Sequence, residues 1–159
     1  MSDQIEIFRE DPDAWGARLA RAYATGEIDA LPFTQTAAWA VSKEFTGWSA
    51  TRLVAQHQSG AWAGAQLLLQ SLPGPLGRLA YAPRAPLVAC ADPGVADALR
   101  SELIRALRSL RADGVTLVRL ELGSSNAVDP DSNVVQPDPA LTLHLRVPWM
   151  NAASEIGRA

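Results

Sequence analysis

Apolar and polar residues change period several times along the chain, and each change marks an element. In QIEIF, residues 4–8, Ile5 and Ile7 alternate with polar neighbours, which predicts a short strand. From Asp11 the period lengthens, and Trp15, Leu19 and Ala22 or Tyr23 fall at helical spacing. Asp11 is placed to cap that helix, Pro12 to take its first position and Gly26 to stop it. A second helix is expected within residues 32–48, capped by Thr34 or Thr36 and ended by Gly47. Ala38, Val41 and Phe45 make one of its faces; Trp39 and Lys43, four apart, share another.

Two extended runs follow, residues 50–58 and 61–73, joined by Ser59-Gly60, a small-residue turn that favours an antiparallel hairpin. A third strand is expected over residues 77–88, after a turn at PGPLG. Residues 93–114 give the clearest helix, with Leu99, Leu103, Leu107 and Leu110 along one side and Gly114 at the exit. Residues 115–122 read as a strand with Val115, Leu117 and Arg119 toward one face. A polar loop over 123–139 leads to a last strand over 141–147, and the tail from Pro148 carries no strong pattern. The order of elements predicts an α/β (α+β) domain over residues 1–159, with a mixed, largely antiparallel sheet flanked by helices.

One stretch resists this scheme. LAYAPRAPLV, residues 79–88, begins like a buried strand but holds Arg84 between Pro83 and Pro86. Proline cannot donate to a ladder and is confined to strand ends, edges or bulges. Something besides packing has shaped the segment.

Composition narrows the function classes. With 48% hydrophobic and 19% charged residues the chain is of ordinary globular type. A formal charge of −3 argues against a general nucleic-acid or anionic-membrane binder, although it leaves room for a local basic groove. No segment reaches the roughly 18 apolar residues of a transmembrane helix. The start, MSDQIEIFRE, lacks the pattern of a signal peptide. Cys90 is the only cysteine and cannot form an internal disulfide, so a cytoplasmic setting is the simplest expectation.

Several chemistries find no support. His57, His144 and Cys90 share no ligand spacing, so no metal is expected, and His144 fits a structural role in its strand. There is no G-x-S-x-G elbow and no phosphate-binding G-x-x-x-x-G-K-[ST] loop. The serines of GSSNAVD are explained by loop composition, and no catalytic residue identifies itself.

The element order resembles the start of the acetyltransferase (GNAT) fold. The segment PRAPLVACADPGVADALR lacks the glycine pair with which that fold cradles the pyrophosphate of acyl-CoA, so CoA is disfavoured and no cofactor is implied. Several segments in order resemble the FemABX family of peptidoglycan-bridge aminoacyltransferases: FTQTAAWAVSKEFTGW, AWAGAQLLLQSLPGPLGRLAYAPRAPLV, VTLVRLEL and VQPDPALTLHL. The family pattern reads like F-x-Q-x-x-x-W-x-x-x-K, G-W, G-x-x-L-L, Y-x-P-[RK]-G-P and Q-P-x-x-T-x-x-L, and the likeness runs from about Phe33 to Leu145.

The resemblance implies cytoplasmic transfer of an amino acid from aminoacyl-tRNA, the donor, to the stem peptide of a peptidoglycan precursor, UDP-N-acetylmuramoyl-pentapeptide or lipid II. It implies that Lys43, in the W-x-x-x-K motif with Trp39, contacts the precursor's diphosphate, that Tyr81 lies by the acceptor site, and that Arg84, on a proline-stiffened turn, offers a further anion contact, with Trp39 also counted among the substrate-binding residues. Plainer readings stand next to these. Lys43 is also explained as a solvated charge whose stem packs on Trp39, Tyr81 as an amphipathic strand residue, and Arg84 as a partner for a surface carboxylate. Arg100, Arg105, Arg108 and Arg111 read as a solvated helix face.

Two departures from the family pattern stand out. Its glycine before the second proline is Ala85 here, which puts a positive φ at that point in question. Members typically carry two GNAT-like domains, and this chain ends at Ala159, where they continue. It is therefore expected to be the N-terminal domain of a longer protein or a shortened relative. The alternative is a non-catalytic half-domain that binds or assembles with a partner chain, as a homo- or hetero-oligomer.

Overall fold

The computed structural model describes residues 4–122 and the strand 142–146. The expected loop over 123–139 and the tail from Pro148 lie outside these residues, as does the side chain of His144. Among these residues a seven-stranded sheet runs in the order β1 (Ile5–Arg9), β2 (Ser49–His57), β3 (Trp62–Ser71), β4 (Arg78–Ala82), β6 (Val115–Glu121), β7 (Thr142–Arg146), with β5 (Leu87–Ala89) also paired to β3.

Strand β1 (Ile5–Arg9) pairs antiparallel with β2 (Ser49–His57), and β2 with β3 (Trp62–Ser71), so the expected hairpin is present. Edge strand β1 does not keep a clean alternation: Ile7 is exposed, while Ile5 and Phe8 are half-buried. Helix α1 (Pro12–Ala24) starts as expected, with the Asp11 carboxylate accepting from the Asp13 and Ala14 amides. Trp15, Leu19 and Ala22 are its buried face, and Tyr23 is exposed.

A single 3-10 turn (Phe33–Gln35) precedes α2 (Ala37–Glu44), and of the two candidate caps it is Thr36 that accepts from the Trp39 amide. The expected apolar face of α2 is corrected by the structure. Ala40 is the buried residue, whereas Val41 is 55% exposed and Phe45 92%. Hydrogen bonds at the helix start fix this phase, because the Thr36 carbonyl accepts from the buried Gln66 side chain at 2.8 Å. With the first turn held there, the Ala40 side faces the sheet and the Val41 side faces outward.

The expected strand over 77–88 is two strands, β4 (Arg78–Ala82) and β5 (Leu87–Ala89), separated by the turn Pro83–Pro86. Both pair with β3, at Leu68–Ser71 and Trp62–Gly64 respectively. Arg84 takes φ +51°, in the left-handed region that non-glycine residues seldom occupy. Ala85 is fully buried and donates its N–H to the Glu121 carbonyl at 2.9 Å, so the positive φ falls on its neighbour.

Helix α3 (Pro93–Ala106), capped by Asp92, tightens into 3-10 turns over Leu107–Asp113 before Gly114 ends it at φ +77°. Leu99, Leu103, Leu107 and Leu110 are buried together, as the spacing predicts. They cover one face of the sheet, against Leu53, Leu67, Ala80, Val118 and Leu120. Strand β6 (Val115–Glu121) runs parallel to β4, and β7 (Thr142–Arg146) antiparallel to β6. A register shift near Arg78 lets Val115 and Val118 join the same core, so Val115, Leu117 and Arg119 do not simply share one face.

On the opposite face α1 packs Trp15, Leu19 and Ala22 against Val54, Trp62 and Ala89. Gly64 is required there: a Cβ would lie 2.8 Å from the Trp15 ring. This cover thins toward β4 and β6, where Leu79, Tyr81 and Leu117 are only half-buried.

Candidate functional site

The thinly covered end of this face carries the groups with chemistry. Tyr81 is the penultimate residue of β4, in register with Leu68 of β3 on one side and Arg119 of β6 on the other. The Arg119 guanidinium lies 5.5 Å from the Tyr81 ring centre, and the Trp48 ring 6.5 Å from it at 53°. Arg119 pairs with Glu121 at 3.1 Å. Because β4 and β6 are parallel, their carboxyl ends lie side by side, the kind of strand end at which open α/β sheets form crevices.

Burial, helped by the Glu121 carboxylate and opposed by Arg119, pushes the Tyr81 hydroxyl up to about 12. At neutral pH Tyr81 is therefore protonated, a hydrogen-bond donor rather than a base.

Lys43 lies on α2 with its Nζ 5.4 Å from the Trp39 ring centre, a cation–π pair of about 0.5–1 kcal/mol at a partly exposed site. The Lys43 carbonyl accepts from the Trp48 amide at 3.3 Å, which links the end of α2 to the ring that meets Tyr81. Arg84 is exposed on the turn after β4. Neither Lys43 nor Arg84 forms an ion pair among the described residues, so the expected surface carboxylate for Arg84 is not found there. On α3, by contrast, Arg100 pairs with Asp97 and Arg105 with Glu102, as a solvated face would.

Of the four residues singled out from the sequence, the structure thus gives one local pair, one member of a larger cluster, and a turn. Lys43 is set with Trp39, Tyr81 with Trp48, Arg119 and Glu121, and Arg84 stands beyond the end of β4. From the sequence, Arg119 reads only as part of one face of its strand and Glu121 is not singled out; the signal that could have found them is two charged residues, two apart, in an otherwise mostly apolar strand.

Beneath this region lies a polar cluster that the sequence reading missed. Gln35 and Gln66 are fully buried, and Arg52 nearly so. Strand β3 has no strand partner at Gln66 on the β4/β5 side, because the chain leaves at Ala82 and returns at Leu87. The Gln35 side chain takes the missing place: its Oε1 accepts from the Gln66 amide at 2.8 Å, and its Nε2 donates to the Gln66 carbonyl at 3.2 Å and the Pro83 carbonyl at 2.8 Å. A buried backbone group left unmet costs about 1–3 kcal/mol, so each of these bonds matters. The Gln66 side chain in turn donates through Nε2 to the Thr36 carbonyl and accepts at Oε1 from Arg52 Nε at 3.0 Å. Trp15 Nε1 fixes the Gln35 carbonyl at 2.7 Å. Burial pulls the Arg52 pKa below its ordinary value, against the nearby charges of Asp11 and Glu44.

Among the described residues no group of three histidine, cysteine or acidic side chains is placed to hold a metal. An open cleft lined by Gly26, Ser59, Gly60, Cys90 and Ala91, near the β2–β3 turn, contains none of the candidate residues.

The fold defines a mixed α/β domain whose exposed sheet face joins cations to aromatic rings. The profile of the FemAB family matches residues 25–119. The crystal structure of FemX superposes with a TM-score of 0.55 at 23% identity, over 73% of this chain and 27% of that one. This likeness is one of fold, consistent with a GNAT-like domain, and the chain spans about a quarter of FemX. Comparison with curated proteins gave no match. The chain belongs to the FemAB family.

Proposed function

We propose that this domain serves an aminoacyltransferase of peptidoglycan cross-bridge synthesis, which moves an amino acid from aminoacyl-tRNA to the stem peptide of UDP-N-acetylmuramoyl-pentapeptide or lipid II. The observation that carries the reading is the FemAB match, whose span of residues 25–119 includes Trp39, Lys43, Tyr81 and Arg84. Lys43 supplies a mobile point charge for the precursor's diphosphate, and Arg84 a second cation. Tyr81, protonated at neutral pH, has one O–H, which turns from the Glu121 carboxylate to an acceptor oxygen of the bound precursor. In the transfer an amine of the stem peptide attacks the ester carbonyl. A C–N bond forms, the ester C–O bond breaks, and the tRNA hydroxyl leaves with a proton. The protein's main task is alignment of two large substrates. The reaction is cytoplasmic in this reading, and among the described residues no helix is long and apolar enough to cross a membrane.

Calorimetry with UDP-N-acetylmuramoyl-pentapeptide tests it. Lys43→Ala is expected to weaken binding about tenfold, the loss of one charge-assisted contact. Equal affinity in the variant removes Lys43 from the site, and no saturable binding by the native chain counts against the precursor as ligand.

A second reading, a non-catalytic half-domain that pairs with a partner chain, is favoured by one observation: Phe33, Val41 and Phe45, around α2, are 65%, 55% and 92% exposed.

A further inference from the structure

The buried glutamine pair joins the very segments that carry the candidate ligand contacts. Gln35 stands immediately before Thr36, the cap of the helix that bears Lys43. Its Nε2 reaches the carbonyl of Pro83, the residue next to Arg84 and two beyond Tyr81. The same Nε2 and its Oε1 hold both backbone groups of Gln66 in β3. Three stretches of chain, separated by 31 and 48 residues from Gln35, thus meet at one side-chain amide. Only a side chain with a donor and an acceptor on one end can imitate a strand's peptide group in this way, and asparagine is a methylene shorter. The Gln66 side-chain amide returns the contact to the Thr36 carbonyl, so each side chain holds the backbone of the other's stretch.

We propose that Gln35 is a positioning residue: it seats the Pro83–Pro86 turn against β3, and so fixes where Arg84 and the end of β4 stand relative to the Lys43 helix. Gln35 touches no substrate and acts through the turn. The proposal rests on the reading of this face as the precursor site, and goes beyond it by assigning the buried amide a part in binding.

The test uses the full chain with Gln35→Glu, which keeps the size and the acceptor but, when ionised, loses the donor toward Pro83 and Gln66. Affinity for UDP-N-acetylmuramoyl-pentapeptide is measured for the native chain, Gln35→Glu, Arg84→Ala and the double variant. Gln35→Glu, which loses both buried hydrogen bonds that Nε2 donates, is expected to weaken binding at least about tenfold, and the double variant to fall well short of the product of the two losses. Losses that multiply would overturn the proposal, since a residue that only stabilises the fold acts independently of Arg84.

Amide hydrogen exchange gives a readout that needs no ligand. The Ala85 N–H, which bonds to Glu121, is expected to exchange about tenfold faster in Gln35→Glu while Val54 and Ala63 in the hairpin keep their native rates. An unchanged Ala85 rate contradicts the clamp. If the native chain does not bind the precursor, the functional reading falls and the exchange rates alone decide the clamp. If Gln35→Glu does not fold, the native chain still decides it: the Gln35 side-chain amide protons are expected to exchange more slowly than those of exposed Gln58, and equal rates refute the proposal.

Discussion

Tyr81 shows how much of a side chain's chemistry depends on its neighbours. Its ring is set between Trp48 and Arg119, and burial with the Glu121 carboxylate raises its hydroxyl to about 12. In the unfolded chain the phenol ionises near its ordinary value of 10. The stability this group contributes is therefore complete below about pH 10 and declines as pH rises from about 10 to about 12. Tyrosine occurs only twice in the chain, so a Tyr23→Phe background leaves Tyr81 to report alone. Ultraviolet titration of its phenolate is expected to give a midpoint about two units above 10, and a midpoint near 10 contradicts the buried, carboxylate-flanked setting. At this scale the sequence was partly legible. Lys43, Trp39, Tyr81 and Arg84 came from a family pattern, whereas Arg119 reads only as a strand residue and Glu121 is not singled out, because their place beside Tyr81 depends on which strand β6 joins. Gln35 stood in the quoted pattern without a role, because its role exists only where β3 lacks a strand partner, 31 residues away.

Among the elements, those governed by local rules read correctly. Asp11 caps α1, and the leucine stripe of α3 meets the sheet. Helix α2 did not follow its apolar spacing, since hydrogen bonds from buried Gln66 set its phase and left Val41 and Phe45 outside. The strand expected over 77–88 breaks where Pro83 and Pro86 deny it donors, a break the prolines announce but whose rejoining on β3 they do not. Phe45 and Leu103 should therefore behave oppositely on truncation. Leu103→Ala is expected to cost about 2–5 kcal/mol in chemical denaturation, while Phe45→Ser stays within about 0.5 kcal/mol. Light scattering on the same Phe45 variant addresses the partner-chain reading: a native dimer that becomes monomeric supports pairing through α2, and a native monomer counts against self-pairing.

For the molecule as a whole, the mixed sheet flanked by helices was legible from the order of elements. The parallel pairing of β4 with β6 was not, because it depends on α3 carrying the chain across the sheet, and no local pattern records which strand receives it. That pairing brings Tyr81 beside Arg119 and makes the exposed face a candidate site. In the proposed reading this face, and not the α3 side, meets the precursor. The most direct measurement is nuclear magnetic resonance of the labelled chain titrated with UDP-N-acetylmuramoyl-pentapeptide. Shifts are expected at the indole N–H groups of Trp39 and Trp48 and at the amides of Lys43, Tyr81 and Arg84, with Leu99, Leu103 and Leu107 unmoved. Shifts confined to α3, or none at saturating precursor, would contradict that reading.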